Sequence, residues 1–218
     1  MTRSPRLEYP GAIYHVTTRG VRQDLIFIDD RDRMALLTLL TRALRACDAR
    51  IFAFCLMGNH YHFVLQTHRA NLSVLMHRIN SKFSLIFNRR HVRRGQVFDG
   101  RFKAMHVERD AYLLEVCRYV DLNPVRAGLV ESPAQWLWSS YGAHAGCRPA
   151  LPWLASAAVH EALTGVAPRD AAQLVTAQRR YADWVNAGVD KRLWRESLRE
   201  GIYLGDQQFV EQMKSRGS

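Results

Sequence analysis

The apolar positions of the chain repeat with two periods, and the switches between them outline its elements. Ala12–Thr18, AIYHVTT, mixes β-branched and aromatic residues and predicts a strand that Arg19-Gly20 ends. Asp29 or Asp30 can cap a helix running to about Cys47, since Leu36, Leu37, Leu40, Leu44 and Cys47 fall on one stripe. Ile51–Met57 predicts a strand, Gly58-Asn59 a tight turn, and His60–Gln66 the hairpin partner. Asn71 can cap the next helix, whose buried face is set by Leu72, Leu75, Met76, Ile79, Phe83 and Ile86. Asn88–Gly95, NRRHVRRG, then predicts an exposed basic loop, and Gln96–Val107 an extended segment. Asp110 can cap a helix to about Leu122, ahead of Asn123-Pro124.

The order β-α-β-β-α-β-α fits an α+β fold, a ferredoxin-like split βαβ antiparallel sheet with helices on one face and one extra helix. After Val130 the pattern changes. WLWSSYGAHAG predicts a Trp/Gly-rich connector and RPALP a linker. Residues 156–213 are mostly helical in pattern, with breaks near Pro168, Gly188, Gly201 and Gly205. The expected organisation is a main domain over residues 1–145 and a helical extension over 146–218.

Charge sharpens this picture. The chain of 218 residues carries a formal +11, and residues 1–130 account for +10 of it. Within residues 69–109 there are 10 Lys/Arg against 2 Asp/Glu. Such a concentration points to a polyanionic partner, with a solvated basic surface as the plainer reading. Arg78 and Lys82, four apart on α-helical pattern, join Arg89, Arg90, Arg93, Arg94, Arg101 and Lys103 as candidate nucleic-acid contacts. The four cysteines form no CxxC pair, which argues against a zinc knuckle or redox motif. No signal-peptide pattern and no apolar run of membrane length is evident, so a cytoplasmic protein without a membrane partner is expected.

The candidate chemistry begins at LMGNHYHFVLQT. His60 and His62 are two apart on a predicted strand, so both imidazoles face one side. They can share a metal ion, or their pairing can be incidental. On the later helix Tyr119 and Asn123 sit one turn apart, about 6 Å along the axis. If that helix packs near the histidine strand, Asn123 can offer an amide oxygen to the metal, and Tyr119 can reach a phosphate held there. The plainer readings are a packing tyrosine and an asparagine that caps the turn after Pro124.

NHYHFVL, GQVFDGRFKA, LLEVCRYVDLNPVRAGLV and YPGAIYHVTTRG together resemble the REP-associated tyrosine transposases, members of the single-tyrosine HUH transposases. The likeness covers about residues 6–145 and four separated blocks in the family's order. It implies that His60 and His62 hold a divalent metal, that Asn123 is the third ligand, and that Tyr119 is the nucleophile. Gly58 stands where the family commonly has proline, which should loosen the hairpin turn slightly. Asp121 stands where histidine is frequent, placing a carboxylate near the nucleophile in sequence, as a supporting group or as a like-charge hindrance to phosphate.

The resemblance further implies cleavage and rejoining of single-stranded DNA through a 5′-phosphotyrosine, at repetitive extragenic palindrome hairpins, by a monomer or homodimer. It implies magnesium or manganese, although two imidazoles by themselves lean toward zinc or another transition ion. Of the family's two ions, manganese suits imidazole better. Two other readings remain at this stage: a non-enzymatic DNA-binding regulator, and a metal-dependent nuclease that uses water.

Overall fold

The computed structural model describes residues 6–189, 198–199 and 202–217. Its elements are β1 (Ile13–Arg19), α1 (Asp30–Cys47), β2 (Ala49–Leu56), β3 (His60–Thr67), α2 (Leu72–Arg90), β4 (Lys103–Val107) and α3 (Arg109–Arg126). Then come α4 (Tyr141–His144), α5 (Ser156–Thr164), α6 (Ala171–Asn186), β5 (Leu198–Arg199), β6 (Tyr203–Leu204) and α7 (Gln207–Gly217). The strands form one sheet in the order β2-β3-β1-β4-β6-β5. The first four pair antiparallel, as a split βαβ sheet requires, and the fold is α+β. β6 joins β4 in parallel and β5 pairs with β6, so the sheet ends in two short strands where a helical pattern is expected. The expected break at Gly201 lies outside the described residues.

Alternation along the strands sorts the two faces. Tyr14 and Val16 of β1 and Tyr61, Phe63 and Leu65 of β3 join Leu36, Leu40 and Leu44 of α1 and Leu75, Ile79 and Phe83 of α2 in one core. Ile13 and Val64, on the other face, pack with Leu113, Val116, Cys117 and Val120 of α3. Helices therefore cover both faces, not one. A second face was required because β2 and β3 are apolar on both sides: Phe52, Ala53, Cys55 and Val64 are fully buried beneath α3, α5 and α6.

Several boundaries differ from the sequence pattern for local reasons. Asp29 caps α1 as expected, accepting from the N–H groups of Arg31 and Asp32. The α2 stripe closes on Phe87, not Ile86, because the next buried position after Phe83 is four residues on; Ile86 is 40% exposed. α2 also runs to Arg90, so the first residues of the expected loop are helical. Residues 96–102 are irregular, and β4 starts only at Lys103. Glu108, not Asp110, precedes α3, and its carboxylate accepts from the Asp206 N–H. α3 continues through Pro124 to Arg126, with the Asn123 amide nitrogen donating to the Tyr119 carbonyl one turn back.

The C-terminal part is packed into this framework. Val159, Tyr181 and Val185 of α5 and α6 belong to the α3 core. The connector seals the outer edge of β2: Leu56 N–H donates to Trp138, Ser140 N–H to Phe54, and Ala155 N–H to Ile51. Asp121 is wholly buried at this junction. It accepts from Ser140 Oγ at 2.6 Å and from the Tyr181 hydroxyl at 2.7 Å. Its carboxylate is thus taken up by Ser140 of the connector and Tyr181 of the extension.

Candidate active site

The hairpin turn that presents the histidines is held from outside. The Gly58 carbonyl accepts from the N–H groups of Ile26 and Phe27, and the Asn59 carbonyl accepts from Gly20 N–H. These bonds fix the turn that a glycine would otherwise loosen. From there β3 starts at His60, with His60 opposite Arg19 and His62 opposite Thr17 on β1. Thr17 in turn lies opposite Lys103 on β4. Directly opposed residues of antiparallel strands point to the same face. Arg19, His60, His62, Thr17, His15 and Lys103 therefore share the α3 side of the sheet.

Each histidine of the pair is oriented through Nδ1. His60 Nδ1 lies 2.7 Å from Asn59 Oδ1. His62 Nδ1 lies 2.9 Å from His15 Nε2 and 3.2 Å from Thr17 Oγ1. His62 Nε2 is buried and has no hydrogen-bond partner. An imidazole pinned through one nitrogen, with the other turned into a polar site, has the form of a metal ligand with its supporting partner. Burial, with the charge of Arg19 as the lesser cause, pushes His60 down to about 4. Burial, then the neighbouring His15 and His60, pushes His62 well below its ordinary value, and burial takes His15 to about 4. All three are neutral at neutral pH, the form that binds metal.

α3 brings Tyr119 onto this cluster. Its half-buried ring meets His62 and His15 edge-on, with centroids 5.7 Å apart in both pairs. The Arg126 guanidinium lies 5.8 Å from the Tyr119 ring centroid. Asn123 is one turn further along, half-buried, with its amide nitrogen turned back to its own helix, which leaves the amide oxygen as the outward group. Among the described residues no three His, Cys, Asp or Glu side chains gather as a metal cage. The donor set that the resemblance implies, two imidazoles and an amide oxygen, is of a different kind, and the buried, unpartnered His62 Nε2 is the observation that suits a divalent ion.

Sequence reasoning missed His15, Thr17 and Arg19. A signal existed, since His15 and Thr17 alternate within the predicted first strand, but only the β1–β3 register links them to His62. The basic candidates separate. Lys103 is exposed on the histidine face, and Arg101 is exposed in the irregular segment before it. Arg78, Lys82 and Arg89 are exposed on α2, which packs on the opposite face. Arg90 is bound to Asp29 and to the buried Asp32, and Arg93 lies 3.1 Å from Asp24, while Arg94 is exposed.

Comparison with known proteins follows the same lines. The model of the IS200-like transposase family matches residues 9–123, a span that includes His60, His62, Tyr119 and Asn123. In fold the chain is similar to a REP-associated tyrosine transposase solved bound to a REP hairpin. The TM-score is 0.59, over 70% of this chain and 89% of that one, at 17% sequence identity. No curated protein matches the chain in sequence. No described helix is long and apolar enough to cross a membrane. With more than half of its length matched by the family model, the chain belongs to the IS200-like transposases.

Proposed function

We propose that this chain cuts and rejoins single-stranded DNA through a covalent 5′-phosphotyrosine on Tyr119, at palindromic hairpin repeats. The observation that carries this reading is the packing of Tyr119 edge-on against His62, whose Nε2 is buried and unpartnered. The Tyr119 oxygen attacks phosphorus, an O–P bond forms, and the P–O3′ bond breaks as the 3′-oxygen leaves and takes up a proton. Attack of that 3′-hydroxyl on the phosphotyrosine reverses the step, so no nucleotide cofactor is needed. The Arg126 guanidinium puts positive charge 5.8 Å from the Tyr119 ring centroid.

His60, His62 and Asn123 are the residues that would hold a divalent ion, magnesium or manganese. Such an ion offsets phosphate charge and polarises the P–O bond. Lys103 and Arg19 add positive charge on the same face, and Arg78, Lys82, Arg89, Arg94 and Arg101 supply phosphate contacts elsewhere. A relative solved with a REP hairpin supports the hairpin substrate. Residues 1–145 form the catalytic unit and 146–218 an extension that braces α3. The site of action is the cytoplasm, as a monomer or homodimer.

A denaturing gel with a hairpin oligonucleotide and Mn²⁺ tests this. The wild-type chain and Tyr112→Phe are expected to give a DNA–protein adduct, and Tyr119→Phe none. Adduct persisting in Tyr119→Phe overturns the nucleophile. Cleavage without adduct would mean a water-using nuclease, and binding without cleavage a regulator.

A further inference from the structure

Tyr119, Asn123 and Arg126 stand at i, i+4 and i+7, so they share one stripe of α3. Arg126 is the last residue of that helix, about 10 Å along the axis from Tyr119. Long helical side chains lean back toward the N-terminus, and this one does. Its guanidinium lies 5.8 Å from the Tyr119 ring centroid. The phenol oxygen is the only atom of that ring that can take phosphate, so Arg126 stands beside the reacting group with a permanent positive charge.

That placement is held from the extension. Arg126 Nη2 donates to the Gly188 carbonyl at 3.0 Å, a contact across 62 residues. Gly188 follows the last turn of α6, where the helix presents its carbonyl oxygens and the negative end of its dipole. A second arginine of α3 closes on the same turn. Arg118 lies 4.3 Å over the Trp184 ring and 3.5 Å from the Trp184 carbonyl, and it donates to Glu115. Its side chain crosses the α-carbon of Gly188, where a Cβ would stand 2.5 Å from Arg118 Cδ and 2.7 Å from its Nε. Arg118 is buried and pinned by Glu115 and Trp184, so a larger residue at 188 has to push the last turn of α6 away from α3. The buried Arg118 already braces the two helices. Arg126 is exposed, and its position over the tyrosine leaves it open to a bound strand.

We infer that Arg126 is a catalytic residue of the proposed reaction: it binds a non-bridging oxygen of the phosphate that Tyr119 attacks, and the last turn of α6 positions it. The inference rests on the phosphotyrosine reaction proposed above. Arg126 forms hydrogen bonds only; it stays protonated, and no covalent bond to it forms or breaks. A guanidinium has five N–H donors, so it can keep the Gly188 carbonyl and still meet a phosphate oxygen. It steadies the charge on that oxygen while the bond to Tyr119 forms and while it breaks again. The extension thereby supplies the anchor of an active-site cation.

The test compares the single-turnover rate of adduct formation with DNA affinity, using the full chain, a hairpin oligonucleotide with single-stranded flanks, and Mn²⁺. Arg126→Ala is expected to slow adduct formation by roughly 10²–10³, the scale of losing one aimed donor, with DNA affinity nearly unchanged. Arg126→Lys is expected to recover part of the rate, because the charge returns without the planar fork. Guanidinium ion at millimolar concentration should raise the rate of Arg126→Ala and leave the wild-type chain unmoved. Gly188→Ala keeps Arg126 but shifts its anchor, and is expected to slow adduct formation by up to about 100-fold, the scale of a 1 Å misplacement. Arg126→Ala, at an exposed position, decides the matter if Gly188→Ala loses its cooperative melt. Adduct at the wild-type rate in Arg126→Ala overturns the inference. So does a loss that neither lysine nor guanidinium relieves, which marks a structural brace. A normal rate in folded Gly188→Ala overturns the part given to α6. No adduct from the wild-type chain overturns the proposed function itself.

Discussion

Tyr181→Phe probes how the extension holds the tyrosine helix. Asp121 lies two residues from Tyr119, fully buried, with Ser140 and Tyr181 as its side-chain partners. Burial, against the two hydrogen bonds, raises its carboxyl from 3.8 to about 7. A rise of about three units corresponds to ~4 kcal/mol against the ionised folded form. Because the folded pKa is raised, this contribution to stability is complete below the unfolded value near 3.8 and is lost as pH rises through about 7. Deleting the Tyr181 hydroxyl removes a donor to the carboxylate, a bond worth ~1.5–3 kcal/mol when the acceptor is charged and about 1 when it is neutral. Urea unfolding followed by tryptophan fluorescence should therefore show a loss of about 2–3 kcal/mol at pH 8.5 and about 1 at pH 5.5. In an Asp121→Asn background the pH dependence of that loss should vanish. An equal loss at both pH values, or a pH-dependent loss that survives Asp121→Asn, would refute the coupling.

Other outcomes follow from the same geometry. His15→Ala removes a partner of His62 Nδ1 but no proposed ligand, so calorimetry should find Mn²⁺ bound roughly 10- to 100-fold more weakly, not abolished. Burial holds His15, His60 and His106 near 4 and His144 near 3, so stability should fall as pH drops from 6.5 toward 4, where the unfolded chain takes up protons first. A flat thermal-melt midpoint across that range would contradict the buried neutral rings. Arg90→Ala should lower the melting temperature, since it strips a partner from buried Asp32, whereas Arg89→Ala should instead lower the salt slope of DNA binding by about 0.7.

The sequence carries the elements far better than the partnerships between them. The two histidines could be placed on one face because strand periodicity is local, and Asp29 could be placed as a cap because capping reaches only three residues. Pro124 misled the end of α3 because a proline near a helix terminus can be tolerated when packing holds the last turn, here Leu122 and Val120 in the core. Tyr112 and Tyr119 share a helical spacing, so periodicity does not separate them, whereas Asn123, one turn from Tyr119 and about three from Tyr112, favours Tyr119. The histidine rings select Tyr119, a contact across 57 residues. His15 on His62, Arg90 on Asp32 and Tyr181 on Asp121 each join residues 47 to 60 apart, and register and packing alone determine them.

Those pairings also change what the net charge means. The +10 over residues 1–130 suggests one basic surface, yet Arg90, Arg93 and Arg118 are each paired with an acid. What remains is split by the sheet. Arg78, Lys82 and Arg89 are exposed on α2, while Arg19 and Lys103 lie on the other face of the sheet and Arg126 stands 5.8 Å from the Tyr119 ring centroid. A layer of helix and sheet is about 10 Å thick, and at physiological salt exposed charges are screened over ~8 Å. The α2 cations therefore contribute little to the field at the tyrosine, and they cannot replace Arg19 or Lys103 in the proposed charge support for a phosphate on that face. Their part in the proposed reaction is to hold DNA away from the cut. The segment 96–102 is tied to the end of β1, where Asp99 N–H donates to the Arg19 carbonyl, and a strand that touches both sets can pass there.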